Sequence, residues 1–373
     1  MLYRTYGKTK NVVSAIGFGG MRFEEGTPEE MAELVQFAYD SGITYFDTAP
    51  LYCNNQSEHY FGLAFAEMKK SKGERFFVST KSSGKTEKKI RKDLENSLQR
   101  MGLEYIDFYH AWCVMDWEDY CKRKSSGVFK TMEKLKEEGL IRHICVSTHM
   151  NGKEIGNMLK EYPFDGVLIG YSAMNFSYRE VALDVAKDLQ CGVAIMNPLG
   201  GGLIPQHPDV FSFVKTQEKE SVVEAALRFL LDDSRITLML VGFSNKAQIQ
   251  EAIAAVDGYH PISESNRTRI RSNLHETFNS MCTGCQYCNL CPQHIEIPKF
   301  MDAYNQYLLT SKTKDLVKRL TWHWGNYKDA LQLNSCLQCG VCERNCTQKL
   351  PIIQRLQEVY HIVQKDADTN TKK

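Results

Sequence analysis

The sequence predicts an α/β protein built as a (β/α)8 TIM barrel, with a smaller, mostly α-helical domain at its C-terminal end. Three observations predict it. Short apolar, β-branched or aromatic runs alternate with stretches of helical periodicity through residues 1–258, and eight such runs can be counted. The chain has 373 residues, and single cores usually stop growing at roughly 250–300 residues. Eight of its 13 cysteines are crowded between Cys282 and Cys346.

The expected strands are Ser14–Phe18, Thr44–Phe46, Phe76–Thr80, Ile106–His110, His143–Ser147, Gly166–Ile169, Val193–Met196 and Leu238–Val241. Helical patterns separate them at Pro28–Asp40, Glu58–Lys70, Glu87–Arg100, Val128–Glu138, Glu180–Leu189, Val222–Leu231 and Ala247–Val256. A stop signal at Gly139, with Lys134 and Lys136 in the last turns, ends the fourth of these. Eight βα units in about 250 residues fit a closed barrel better than a doubly wound sheet. Gly17, Gly19 and Gly20 fall in IGFGGM, but no dinucleotide-binding helix opens directly after them. The polar segment 259–273 is the expected connection to a domain spanning 274–373, whose end, with Lys372 and Lys373, is expected to fray.

Composition removes several function classes. The chain carries 46 basic and 45 acidic residues, a formal charge of +1, which gives no pull toward nucleic acid or an anionic membrane. Lys312, Lys314, Lys318 and Arg319 are too few to turn the aromatic stretches FMDAYNQYLL and LVKRLTWHWGNY into a base-stacking platform. No run approaches the ~20 apolar residues of a membrane helix. The start, MLYRTYGKTK, lacks the basic-then-apolar layout of a secretory signal, so a cytoplasmic location is expected. In a reducing compartment clustered thiols are read as metal ligands rather than disulfides. Cys53, Cys113, Cys121, Cys145 and Cys191 show no ligand spacing and are expected to pack as small apolar groups.

Chemistry in such barrels sits where strands end at the carboxyl face. Asp47 closes the second strand in YFDTAPLY, Tyr52 follows in the same loop, Lys81 closes the third strand and His110 the fourth. A phenol titrates near ~10 and is a poor acid at neutral pH, but an adjacent ammonium stabilises the phenolate. Lys81 is placed to activate Tyr52, and Asp47 to keep Lys81 charged in a cleft. The three make a general acid with two supports; the plainer alternative is a structural ion pair beside a core phenol.

These residues resemble the aldo-keto reductases, whose FDTA-x-x-Y turn and strand-ending lysine appear as Asp47, Tyr52 and Lys81. The resemblance spans about residues 1–258 and extends to IGFGGMRF, MGLEYIDFY, NPLGGGL and VGFSNKAQIQEA. It implies nicotinamide-dependent hydride transfer to a carbonyl, with Tyr52 protonating the developing alkoxide. It also implies that Met21, Ser147, Gly242, Ser244 and Glu251 border the dinucleotide. Two departures accompany it. The family's usual histidine aligns with Trp112, while His110 lies two residues earlier, on the same face of its strand and one layer deeper. The family's glutamine and aromatic platform in the nicotinamide pocket align with Leu168 and Met196. Lys246 is the only basic residue in GFSNKAQIQEA, so both NAD and NADP stay open.

The tail begins as CTGCQYCNLCP and repeats as CLQCGVCERNC. Bacterial two-cluster ferredoxins carry C-x2-C-x2-C-x3-C-P, in which the fourth cysteine ligates the other cluster. The second run keeps that spacing; the first has two residues before Cys291, and Thr347 stands where proline is usual. Resemblance to ferredoxins pairs Cys282, Cys285 and Cys288 with Cys346, and Cys336, Cys339 and Cys342 with Cys291, around two 4Fe-4S clusters. Gly284 and Gly340 suit the tight loops this needs. Zinc is the competing metal, although its knuckles usually have a longer loop between two CxxC pairs. Barrel and tail together resemble a ferredoxin-tailed subfamily of aldo-keto reductases. The expected function is an oxidoreductase acting on a small carbonyl or unsaturated substrate, its tail exchanging electrons with a soluble carrier. Nicotinamide moves two electrons and a cluster one; a flavin would reconcile the counts, but the sequence shows no flavin motif. The alternatives are clusters with a purely structural part, and a non-catalytic module in which a retired barrel binds a nucleotide and the clusters report redox state or dock a partner.

Overall fold

The computed structural model describes residues 1–23, 26–70 and 75–370; Lys372 and Lys373 lie outside the described residues. It divides into two compact units, Met1–Ser272 and Asn273–Lys373.

In the first unit a short antiparallel hairpin, β1 (Tyr3–Thr5) and β2 (Val12–Ser14), precedes eight barrel strands. These are β3 (Ile16–Gly19), β4 (Tyr45–Asp47), β5 (Phe77–Ser82), β6 (Ile106–Val114), β7 (Ile141–Thr148), β8 (Gly166–Gly170), β9 (Gly192–Met196) and β10 (Leu238–Val241). They pair in parallel, in sequence order, and β10 closes the barrel on β3. Local sequence starts the flanking helices where the periodicity places them. Thr27 and Glu30 form a capping box ahead of Pro28–Asp40, and Ser221 and Glu224 another ahead of Val222–Leu231. A helix at Gly152–Glu161, capped by Asn151, fills the β7–β8 crossover. Gly152 and Gly156 depress its intrinsic helix propensity.

The hairpin places Tyr6 in the barrel floor, where it is fully buried with Tyr45, Phe108, Cys145 and Leu168. Gly166 and Gly192 leave the space its ring occupies: a Cβ on Gly192 would come within 2.1 Å of that ring. Gly192→Ala is therefore expected to destabilise the barrel by about 1–3 kcal/mol through overpacking. Equilibrium denaturation checks this, and unchanged stability would remove Tyr6 as a fitted plug.

The expected connection at 259–273 contains a helix, Glu264–Ser272, tied to the barrel unit. Arg269 donates to the carbonyls of Phe213 and Lys215 (2.6 Å each), and Arg271 pairs with Glu180. The second unit is helical. Its longer helices, Ile297–Thr310 and Ile352–Asn370, pack around Phe300, Met301, Leu316, Leu320 and Leu356. Of the aromatic stretch between the cysteine runs, Trp324 donates to Asp302 (2.7 Å) while Trp322 stays exposed. Among the described residues no helix is long and apolar enough to cross a membrane.

Candidate active site and cysteine cages

Register brings the strand-ending residues together. Asp47 on β4 lies opposite Ser79 on β5, and Lys81 on β5 opposite His110 on β6. The Lys81 ammonium is fully buried and donates to both Asp47 oxygens (2.8 and 2.7 Å) and to the Thr48 carbonyl (2.6 Å). Ser79 Oγ donates to Asp47 Oδ1 (2.7 Å), so the carboxylate is held from two sides. Burial pulls the Lys81 pKa down and the Asp47 charge pulls it back. Lys81 Nζ faces the Tyr52 ring, 5.1 Å from its centroid. Tyr52 is half-buried, and the three residues after it, Cys53, Asn54 and Asn55, all have left-handed backbones. That curl turns the β4 loop back on itself directly after the phenol.

The fourth barrel strand runs four residues beyond its expected end at His110. It crosses an irregularity between Ala111 and Val114, with Cys113 at φ 60°. This extension carries Trp112, whose ring meets that of Tyr52 edge-on at 5.8 Å. His110 is completely buried, and neither ring nitrogen has a hydrogen-bond partner of good geometry. Burial, then the Lys81 charge, hold its pKa well below the ordinary histidine value, with a smaller opposing contribution from the Val146 backbone. His110 is a neutral imidazole beside the ion pair.

Of the residues expected at the dinucleotide, Met21 follows β3, while Gly242 and Ser244 follow β10, its neighbour in the closed barrel. Arg22 joins these loops. Its side chain packs where a Cβ on Gly242 would stand, and its carbonyl accepts from Ser244 Oγ (3.3 Å). Sequence reasoning passes over Arg22 because it is far from GFSN along the chain; the signal lies in barrel closure, which makes the β3 and β10 loops adjacent. Ser147 is buried on β7, separated from β10 by β8 and β9. Glu251 accepts from Ser221 Oγ (2.6 Å), at the start of helix Val222–Leu231. Leu168 packs in the floor cluster with half-buried Met196 against it, so neither offers a polar group.

In the second unit Cys282, Cys285, Cys288 and Cys346 line one cavity, and Cys291, Cys336, Cys339 and Cys342 another. The sets frame cavities rather than a point: among the described residues no three His, Cys, Asp or Glu side chains converge on a single metal-ion position. The two loops repeat one backbone pattern. Gly284 and Gln338 (φ 63° and 51°) each stand two residues after the first cysteine of their run, and Gln286 and Gly340 (63° and 71°) four after it. His294 and Lys349 (55° and 53°) each follow the last cysteine by three. Glycine thus fills only one of the left-handed positions in each run. The turns aim amides at sulfur: Gly284 N–H donates to Cys282 Sγ, Gln338 N–H to Cys336 Sγ and Leu350 N–H to Cys346 Sγ, each at 3.4 Å. Burial, reinforced by neighbouring cysteines, pushes the Cys282 and Cys288 thiols up to about 12. Four thiols in one buried cage ionise together only around a compensating positive core, and the donor set fits an iron–sulfur cluster.

Comparison with known proteins is in keeping with this geometry. Residues 15–274 match the model of the aldo/keto reductase family, and residues 281–351 match that of a 4Fe-4S dicluster domain. The chain is 26% identical over 282 residues to L-galactose dehydrogenase of Arabidopsis thaliana, covering 68% of this chain and 87% of that protein. It is 24% identical over 280 residues to L-glyceraldehyde 3-phosphate reductase of Escherichia coli, covering 61% and 79%. Among solved structures, the holo form of an aldo-keto reductase from Bacillus halodurans superposes with a TM-score of 0.62 at 21% identity, covering 74% of this chain and 98% of that one.

Proposed function

The chain belongs to the aldo/keto reductase family and carries a C-terminal 4Fe-4S domain, and from that premise we propose that it reduces a small carbonyl or unsaturated compound with NAD(P)H and exchanges electrons through two 4Fe-4S clusters. The observation that carries the proposal is the buried Asp47–Lys81 pair facing the half-exposed ring of Tyr52. Tyr52 donates the proton that the nascent alkoxide takes up; Lys81 stabilises the phenolate left behind, and Asp47 holds Lys81 charged. Neutral His110 acts by position, packing beside Lys81 without adding a second charge. Met21, Ser147, Gly242, Ser244 and Glu251 border the dinucleotide, and Arg22 adds a cation to that rim. When bound, the nicotinamide supplies a hydride, and each cluster carries one electron.

Cys282, Cys285, Cys288 and Cys346 hold one cluster, and Cys291, Cys336, Cys339 and Cys342 the other. Cysteines that frame two cavities favour multi-iron clusters over single zinc ions, whose four ligands meet at one point. Two one-electron clusters together match the two electrons of one hydride, and a flavin, for which the sequence shows no motif, would supply the conversion between two-electron and one-electron transfer. The carrier that meets them is a soluble one-electron protein, and the setting a reducing cytoplasm. Two of the relatives are named for L-galactose and L-glyceraldehyde 3-phosphate, both hydroxyaldehydes, which makes small hydroxyaldehydes the first substrates to try.

Full-length protein purified anaerobically is expected to contain about eight irons and eight sulfides, and to oxidise NADPH or NADH in the presence of a small hydroxyaldehyde. Tight nicotinamide binding with neither substrate consumption nor cluster reduction would instead favour a retired barrel, the reading that Trp112 beside Tyr52 supports. Zinc without iron would end the cluster assignment.

A further inference from the structure

Arg355 carries an inference that rests on the cluster reading above. Helix Ile352–Asn370 begins at the wall of the first cage, where Ile352 lines the cavity, and presents Arg355 one turn later. The side chain is only 5% exposed. One terminal nitrogen donates to the Ser280 carbonyl (2.7 Å), two residues before Cys282; the other is buried with no hydrogen-bond partner. The guanidinium stacks on Tyr304, 4.9 Å from the ring centroid. Beside Tyr304, Asn305 clamps Cys282, accepting from its N–H (3.0 Å) and donating to its carbonyl (2.8 Å). The nearest carboxylate along the helix, Glu358, accepts from Tyr304 and Gln354.

A buried guanidinium with an unused donor is costly unless something negative faces it. Burial pulls its pKa down, and its proximity to Tyr304, then to Cys282, Cys346 and Glu358, pulls it back. Among the described residues the second cage has no buried counterpart: Arg344, which donates to the Cys339 carbonyl (3.1 Å), is exposed. Leu350 and Ile352 line the first cavity as Ile295 and Ile297 line the second, each at the same distance after the last cysteine of its run. By that correspondence the position of Arg355 is occupied by Phe300, a buried phenyl ring. The first cage is also the better covered: Cys288 and Cys346 are buried in it, whereas Cys339 of the second is exposed. Burial makes the added negative charge of reduction harder to accommodate, and a nearby cation offsets it.

We propose that Arg355 is the charge-compensating residue of the first cage and raises the reduction potential of the cluster held there. The step is the gain of one electron by that cluster from an external one-electron titrant, with no bond formed or broken.

The test is a redox titration of the full-length, anaerobically purified protein followed by electron paramagnetic resonance, with iron and sulfide counted in each variant. Thr347→Val identifies the couple of the first cage, because Thr347 Oγ1 meets Cys285 Sγ (3.4 Å). Arg355→Gln is expected to make reduction of that couple about tenfold less favourable, 59 mV for one electron, and to leave the other couple in place. Arg355→Lys should restore most of the shift. Glu358→Gln, which removes the opposing charge without touching the buried cation, should move the same couple to higher potential. Equal shifts of both couples, or none in an iron-replete Arg355→Gln protein, would overturn the proposal. If Arg355→Gln does not load its clusters, an unmoved couple in Glu358→Gln overturns it equally. Wild-type protein devoid of iron and sulfide would instead fault the cluster reading on which this rests.

Discussion

Tyr52→Phe is expected to lower kcat for carbonyl reduction by about 10²–10⁴-fold, the usual contribution of a positioned general acid. Nicotinamide affinity and iron content should stay at wild-type levels. The variant removes one oxygen and keeps the ring, so the edge contact with Trp112 and the placement over Lys81 persist. What is lost is the phenol proton placed beside the Lys81 ammonium. His110 cannot replace it, because its imidazole is neutral and entirely buried. The loss belongs in kcat rather than KM, since the phenol acts on charge that develops in the transition state. Steady-state kinetics with a small hydroxyaldehyde, alongside fluorescence titration of the nicotinamide, separates the two. Wild-type kcat in an intact Tyr52→Phe protein would take Tyr52 out of the chemistry and leave Asp47 and Lys81 as a structural pair.

Most of the barrel is legible in the sequence because its strands are short apolar runs set off by polar turns, and each is found within a few residues of its expected span. The fourth strand ends late for a physical reason: Trp112 and Cys113 lie across an irregularity where pairing lapses and resumes, and period-two alternation cannot register that. The catalytic candidates are legible at strand ends and in the loop after Asp47, and even their partnership is, but its geometry is not. That Lys81 spends its three donors on Asp47 and Thr48 follows from register, which a single sequence does not carry. The tail divides similarly. Cysteine spacing is local and visible, and resemblance supplied the crossed pairing. Arg22 and Arg355 were invisible because a lone charge has no period; barrel closure positions one, and helix packing buries the other.

Lys81→Met is expected to cost about 3–5 kcal/mol of barrel stability, as when one partner is removed from a buried ion pair. Asp47 would remain only 3% exposed, with Ser79 as its surviving side-chain donor. The penalty is mostly that of an uncompensated charge, so it should be largely recovered in the double variant Asp47→Asn, Lys81→Met, where no charge is left to bury. Activity follows a different course. Neither variant retains the ammonium beside Tyr52, and both are expected to lose reduction to a similar extent. Comparing denaturation midpoints with kcat across wild type, single and double variants therefore separates the structural part played by Lys81 from its electrostatic one. A single variant as stable as wild type would mean that water or another group solvates Asp47 in the barrel. A double variant that regains turnover along with stability would show that the phenol needs no cation.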